Sequence, residues 1–218
     1  MQDRLRGLLP LLLLPLVIGA GGLQPAHAQA PRLDEARAII QTFYDRLLEC
    51  MKQGPELGLE GRRRRLAPAL REAYDLPFMA AKVLGRHWRS LSDSEKQRWV
   101  DVFERLTIST YAERFEAWDG ERLVVEDAEP GSRDTIIVHT RIVPRDEDPV
   151  PIHYRMRERD GRIRVIDVFL NGTVSELALR RSEYGSFVQR NGVDALIAEL
   201  EAKIENGRAS SEISSKLD

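Results

Sequence analysis

Residues 74–88 have the sequence YDLPFMAAKVLGRHW, which is dense in large apolar side chains and is interrupted by one proline and one glycine. Pro77 suits the first turn of a helix, because its missing N–H would have no partner there. Asp75 or Leu76 is placed to cap that helix, and Gly85 can end it by adopting a positive φ. The stretch therefore predicts a short apolar helix that starts at this proline, and it offers no plausible catalytic set.

Two further helices are predicted before this stretch. Residues 34–53 form an amphipathic helix that Gly54 and Pro55 end, and a short helix follows over residues 62–72. The apolar stripe of the first helix consists of Ile39, Ile40, Phe43, Leu47, Leu48 and Met51. Cys50 lies on the same face without a histidine or metal-spaced ligand nearby, so we predict a buried, inert thiol.

The longest predicted helix follows the stretch and begins at a capping box. The Ser92 oxygen and the Glu95 carboxylate can each accept a hydrogen bond from a free backbone N–H, and the helix continues to Trp118. Its apolar surface is made by Trp99, Phe103, Leu106, Thr110, Tyr111, Phe115 and Trp118. Because these side chains occupy more than one stripe, the helix must be covered on several sides or must line a cavity.

The middle of the chain alternates apolar and polar residues with period two, which is typical of half-buried strands. Four strands are predicted, over residues 121–127, 136–143, 150–157 and 162–170. A tight turn at Arg159-Asp160-Gly161 joins the last two. The strands form an antiparallel meander whose apolar face the helices must cover, and helices resume over residues 174–189 and 193–204. The chain is therefore predicted to be one α+β domain.

The N-terminus predicts that the protein is secreted. A short basic region and an apolar run precede Ala26-His27-Ala28, which has the small-x-small pattern of a cleavage site. We therefore predict a signal peptide over residues 1–28, with an uncleaved anchor as the alternative. The single domain then spans residues 29–206, and residues 207–218 form a polar, disordered tail.

Charge and motif content exclude several classes of function. The 33 Lys and Arg residues oppose 35 Asp and Glu residues, giving a net charge of −2 that argues against general nucleic-acid binding. His139 and His153 sit on a polar strand face beside arginines that would repel a cation, so surface histidines are favoured over a metal pair. The sequence has no metal-binding, nucleophile or phosphate-loop motif. We predict no metal, no cofactor and no catalysis.

Asp167 is a carboxylate in an apolar strand, and strict alternation assigns it to the face of Ile163, Val165 and Phe169. Because unpaired burial of a charge costs several kcal/mol, we predict a structural role. It would form a buried salt bridge, with Arg86 or Arg180, or a cap that fixes a helix to the sheet. The alternative is a general base in an isomerase pocket, for which Tyr154 is the only candidate oxyanion donor.

Four adjacent arginines, Arg62 to Arg65, stand out against the acidic balance of the chain. They could simply be the solvated side of a short helix. Four guanidinium groups cannot all face a core, since each would need its own partner. We predict that they contribute to docking at a membrane or membrane complex, outside any pocket.

Five segments occur in a characteristic order within residues 34–204. They are Asp75–Met79, Leu84–Trp88, Val165–Val168, Gly172 with Ser175, and Gly192–Ile197. Together they resemble the MlaC (toluene-tolerance) family, periplasmic proteins that carry a phospholipid between the two membranes of Gram-negative bacteria. Residues 57–62 and 173–184 are more similar to the HpnM branch, which is encoded with hopanoid biosynthesis.

The resemblance implies a helical layer on a curved four-stranded antiparallel sheet, an NTF2-like cone with extra helices around an apolar cavity. It implies a phospholipid or hopanoid cargo, and partners in an inner-membrane transporter complex and an outer-membrane acceptor. Arg86, Asp167 and Gly172 are predicted to be structural.

The surplus of apolar positions predicts which side chains line the cavity. They are Phe78, Met79, Val83, Leu84, Trp88, Trp99, Phe103, Leu106, Tyr111, Ile152, Tyr154 and Met156. The rival classes are an isomerase-type pocket enzyme and an adaptor with a filled core.

Overall fold

The computed structural model describes residues 26–209, so residues 1–25 of the predicted signal peptide and 210–218 of the predicted tail lie outside the described residues. The helices are α1 (Ala26–Lys52), α2 (Gly54–Ala73), α3 (Leu76–Leu84), α4 (Asp93–Arg114), α5 (Glu176–Asn191) and α6 (Val193–Glu205), with a 3₁₀ helix at Gly85–Ser90. The strands are β1 (Arg122–Gly131), β2 (Thr135–Val143), β3 (Val150–Arg159), β4 (Arg162–Leu170) and β5 (Val174–Ser175).

The strands form one antiparallel sheet in the order β1-β2-β3-β4-β5. This confirms the predicted combination of helices with an antiparallel meander. The sheet has five strands and not four, because the two-residue β5 pairs with Phe169 and Leu170. It follows a turn in which Asn171 and Gly172 both have positive φ. A strand of two residues has no alternation from which to predict it.

Capping residues lie where the sequence predicts that α3 begins and ends and that α4 begins. The Asp75 side chain accepts a hydrogen bond from the Phe78 N–H at 3.2 Å, and Gly85 ends α3 with a φ of 56°. Ser92 and Glu95 form the predicted capping box at the start of α4. These three predictions are confirmed.

Two predicted helix boundaries are wrong. The helix α2 begins at Gly54 and not at residue 62, because Pro55 occupies its first turn and Gly58, with a φ of 60°, absorbs a kink. The helix α4 ends at Arg114. Trp118 therefore lies beyond it, 47% exposed, where its ring faces the Lys52 ammonium at 5.3 Å.

A β-bulge in β4 reverses the face of its second half. Met156 of β3 pairs with Val165 and the preceding Arg155 pairs with Asp167, so Ile166 is an extra residue on β4. Asp167 thus shares the face of Arg155, opposite to Val165. The prediction that Asp167 shares the face of Ile163 and Val165 is wrong, because strict alternation fails at a bulge. Asp167 does share the face of Phe169, which follows the bulge as it does.

The core lies between the inner face of the sheet and two layers of helix. The helix α1 crosses β1, β2 and β4, and α3 and α5 pack on β4, while α4 packs on α2, α3 and α6. Cys50 on α1 is fully buried, as predicted, and burial raises the pKa of its thiol. Residues 207–209, assigned to the tail, extend the folded part of the chain: Ala209 is buried and its carbonyl accepts from the Thr110 hydroxyl at 3.3 Å.

Candidate functional site

Five aromatic side chains from four parts of the chain meet in the core, and we call them the ring cluster: Phe43, Tyr44, Tyr74, Tyr111 and Tyr154. Tyr74, in the link between α2 and α3, is central. Its ring lies 6.0 Å from that of Tyr111 on α4 and 6.5 Å from that of Tyr154 on β3. The edge-to-face angles are favourable for aromatic pairs.

The hydroxyl groups of the ring cluster are hydrogen-bonded to one another and to the sheet. The Tyr44 and Thr140 hydroxyls are 2.6 Å apart, and the Tyr74 and Tyr111 hydroxyls bond directly. Burial raises the pKa of Tyr44, Tyr74, Tyr111 and Tyr154. The cluster is therefore neutral and internally satisfied, which suits an apolar ligand and supplies no nucleophile.

A small cavity lies beside the ring cluster, between α3, α4 and the start of α5. Its lining includes Met79, Phe103, Tyr111 and Leu177, and its volume is about 10 Å³. That is room for about one water molecule. Side chains fill the rest of this part of the core, so an acyl chain could enter it only by moving them.

A much larger groove of about 540 Å³ opens between α1, α2 and the β3–β4 hairpin. Its apolar floor is made by Ile39, Phe43, Ala69, Ala73 and Ile163. Ligand sites in proteins typically have volumes of roughly 300–1,000 Å³. Because Phe43 also belongs to the ring cluster, the floor of the groove continues into the aromatic core.

The rim of the groove is charged. It carries Glu35, Arg46, Glu72, Arg162 and Arg164. An apolar floor below a polar rim is an arrangement that suits an amphipathic ligand.

The predicted lining residues lie mostly in the closed core. Those buried are Met79, Val83, Leu84, Trp99, Phe103, Leu106, Tyr154 and Met156, and those partly buried are Phe78, Trp88, Tyr111 and Ile152. Of these, Met79, Phe103 and Tyr111 line the small cavity, and none lines the groove. Trp99 is held in place by a hydrogen bond from its indole N–H to the Ala80 carbonyl at 2.9 Å.

Sequence reasoning missed the groove, although part of the signal was available. Ile39 and Phe43, which line the groove, belong to the predicted apolar stripe of the first helix. Ala73 and Ile163 complete the floor only through tertiary packing, so no local pattern reveals them.

Asp167 is a cap. Its carboxylate accepts hydrogen bonds from the Val168 N–H at 2.9 Å, the Leu177 N–H at 3.2 Å and the Ser175 hydroxyl at 2.7 Å. Burial nevertheless raises its pKa. Because Asp167 and Tyr154 lie on opposite faces of the sheet, they cannot act together in one pocket.

Asp167 forms no salt bridge with either of its predicted partners, Arg86 and Arg180, so that alternative is wrong. Arg86 donates to the Gln189 side chain at 3.2 Å, and Arg180 donates to Glu176 at 2.9 Å. Gly172 has a φ of 71°, and a Cβ there would approach the His153 ring to 3.0 Å, so glycine is structurally required.

The arginine run is only partly a surface feature. Arg62 is buried and donates to two backbone carbonyls, and Arg63 donates to the Ile204 carbonyl at 2.6 Å. The prediction that Arg62 helps to form a docking patch is therefore wrong, because its guanidinium group is used inside the fold. Arg64 and Arg65 are exposed.

Residues 26–209 are expected to hold no metal ion, and two features of the fold bear on metal and membrane binding. No group of three His, Cys, Asp or Glu side chains in that part of the chain is arranged to hold a metal ion. None of its helices combines the length and apolarity of a membrane span.

Comparison with known proteins identifies the family. The family model described as "MlaC protein" matches residues 41–202. A relative from Haemophilus influenzae, described as the intermembrane phospholipid transport system binding protein MlaC, is 22% identical over 131 residues, which cover 58% of this chain and 61% of the relative.

A solved structure with the same fold is the phospholipid-binding protein from Ralstonia solanacearum in complex with a phospholipid. The TM-score is 0.69 at 20% identity, over 79% of this chain and 98% of that chain. The match of the family model over most of the chain settles its membership: the chain belongs to the MlaC family.

Proposed function

We propose that this protein is a periplasmic lipid carrier that is exported by a signal peptide over residues 1–28. It holds the acyl tails of a phospholipid and moves the lipid between an inner-membrane transporter complex and an outer-membrane acceptor. It catalyses no reaction. Membership of the MlaC family and the phospholipid named for both relatives support this proposal.

One observation carries the proposal: Phe43 links the groove to the ring cluster. It lies on the floor of the groove, and its ring is 5.5 Å from the rings of both Tyr74 and Tyr111. Tyr111 in turn lines the small cavity with Met79 and Phe103. An apolar path therefore runs from the surface to the residues predicted to line the cavity.

Burial of the lipid tails favours opening this path. Burying a methylene group yields about 0.8 kcal/mol, so a 16-carbon chain offers on the order of 10 kcal/mol before the cost of binding. Separating the rings of Phe43 and Tyr74 would extend the groove into the helix–sheet interface. The resulting interior is the NTF2-like cone that the family resemblance implies.

The cargo is a phospholipid or, if the chain functions as an HpnM-type member, a hopanoid. An isomerase function is not favoured, because Asp167 is saturated with hydrogen bonds on the face of the sheet opposite to Tyr154.

The test is to purify the protein from membrane-containing cells and to analyse its bound lipid by native mass spectrometry and extraction. Ala38→Phe and Ala69→Phe each place a ring in the groove at an incompletely buried position. Ala198→Phe, at an exposed position on α6, is the matched control.

We expect lipid on the wild type and the control, and loss of most of it from both groove variants. The mass of the extracted lipid distinguishes a phospholipid from a hopanoid. Equal lipid on all three variants would show that the groove is not the route. A wild type that never carries lipid would overturn the proposed function.

A further inference from the structure

Two pairs of arginines face each other across the β3–β4 hairpin. Arg157 pairs with Arg164, and Arg159 pairs with Arg162, with one other residue pair between them in the ladder. Like charges directly opposite one another on neighbouring strands destabilise a sheet. The chain as a whole has a net charge of −2, so this concentration of positive charge is a local feature.

The two arginines on β3 have partners within the fold. The Arg159 guanidinium lies 4.0 Å from the Asp75 carboxylate and 3.6 Å from that of Asp160. The Arg157 guanidinium lies 4.5 Å from the centre of the Phe78 ring, a cation–π contact. Their charge is therefore partly offset.

The two arginines on β4 lack such partners. Among residues 26–209, no carboxylate is within ion-pairing distance of Arg162 or Arg164, and the buried Nε of Arg164 has no hydrogen-bond partner there. A buried donor without a partner destabilises the fold. Both residues line the groove.

A third arginine reaches the same groove from the opposite wall. Arg46 on α1 also lacks an ion pair among the described residues. Glu35 and Glu72 share the rim, but neither carboxylate is paired with any of these three arginines, and the rim keeps a net positive charge. Three arginines from two walls thus line a groove whose floor is apolar.

We propose that Arg46, Arg162 and Arg164 bind the phosphate of a lipid whose tails lie in the groove. This inference rests on the proposed function and deepens it, because it assigns the headgroup end of the same site. Guanidinium groups form paired, charge-assisted hydrogen bonds with phosphate oxygens. The site therefore selects a phosphate-bearing lipid over a neutral lipid with identical tails.

The test compares phosphatidylglycerol with diacylglycerol of the same chains. The protein is stripped of lipid in detergent and reloaded from mixed micelles, and uptake is measured by native mass spectrometry over a concentration series. The variants are Arg162→Gln alone, at an exposed position, and Arg162→Gln with Arg164→Gln. Arg190→Gln on α5 removes the same charge from an exposed position away from the groove, and is the matched control.

We expect the double variant to take up phosphatidylglycerol about tenfold more weakly, with a smaller loss for Arg162→Gln. Uptake of diacylglycerol should be unchanged in both, and Arg190→Gln should behave as the wild type. Binding of free glycerol phosphate to the wild type, without tails, should be at least tenfold weaker than that of phosphatidylglycerol.

Three results would overturn the proposal while leaving lipid carriage intact. They are unchanged uptake of both lipids by the double variant, equal loss of both lipids, and glycerol phosphate bound as tightly as phosphatidylglycerol. If the wild type takes up neither lipid, the proposed function itself is overturned. Circular dichroism on each variant confirms that the fold is retained before uptake is compared.

Discussion

The guanidinium Nε of Arg62 donates a hydrogen bond to the carbonyl oxygen of Ala112 at 2.7 Å. The same group donates to the Gly54 carbonyl at 3.0 Å. One side chain on α2 therefore satisfies a carbonyl in the last turn of α4, where helical carbonyls lack a partner, and places a positive charge at the negative end of that helix.

Replacing Arg62 with Gln should destabilise the protein by about 2–3 kcal/mol, because two buried carbonyls lose a charged donor. The matched control is Arg64→Gln, two residues along and exposed, which should change the free energy of unfolding by less than about 0.5 kcal/mol. Urea titration followed by circular dichroism measures both. Equal effects of the two substitutions would mean that the Arg62 hydrogen bonds contribute nothing.

Asp167→Asn should lower the free energy of unfolding by about 1–3 kcal/mol, since the amide cannot accept all three hydrogen bonds that the carboxylate accepts. Thermal melting measures this as a fall in Tm. Asp101→Asn, at an exposed position on α4, is the control and should leave Tm nearly unchanged. A variant of Asp167 that melts with the wild type would contradict the capping role.

The capping box at the start of α4 should make stability depend on pH in a defined direction. The Ser92 hydroxyl and N–H both donate to the Glu95 carboxylate and lower its pKa. A lowered pKa in the folded state gives stability that is present above the usual range of glutamate and is lost as the pH falls through the folded value. The Tm of the wild type should therefore exceed that of Glu95→Gln at pH 7 and converge with it in acid. A gap that stays constant down to pH 3 would exclude this linkage.

The ring cluster should couple alkaline unfolding to tyrosine ionisation. Burial raises the pKa of Tyr44, Tyr74, Tyr111 and Tyr154, so the folded state holds their protons more tightly than the unfolded state. Stability from these phenols is complete below a pH of roughly 10 and is lost as the pH rises towards the folded values.

Absorbance at 295 nm should thus show at least four of the five tyrosines ionising together with the loss of circular dichroism. The same titration in concentrated guanidinium chloride is the control, in which all phenols should titrate near a pH of roughly 10. Ionisation of the four phenols in a still-folded protein would contradict their burial.

Features that depend on a few neighbouring residues were predictable. The Asp75 cap, the Gly85 terminus and the Ser92–Glu95 box each need only residues within one helical turn, and all three are present. The two-residue period likewise predicts the meander, because alternation is a property of each strand alone.

Features that depend on distant packing were not predictable. Val165 and Ile166 are both apolar, so the sequence of β4 hides the bulge that turns Asp167 to the other face. Arg62 is buried only because the end of α4 lies beside it. The groove is assembled from α1, α2 and β4, which no window of sequence brings together.

Cys50 is the only cysteine of the chain, and its thiol is sealed on α1, the helix that forms one wall of the groove. A thiol-specific reagent can reach it only while α1 is separated from its neighbours. The rate of labelling under native conditions therefore counts opening events, at a single chemically unique atom and without any lipid present. Labelling of Cys50 therefore measures how often the motion occurs that the proposed uptake of lipid requires.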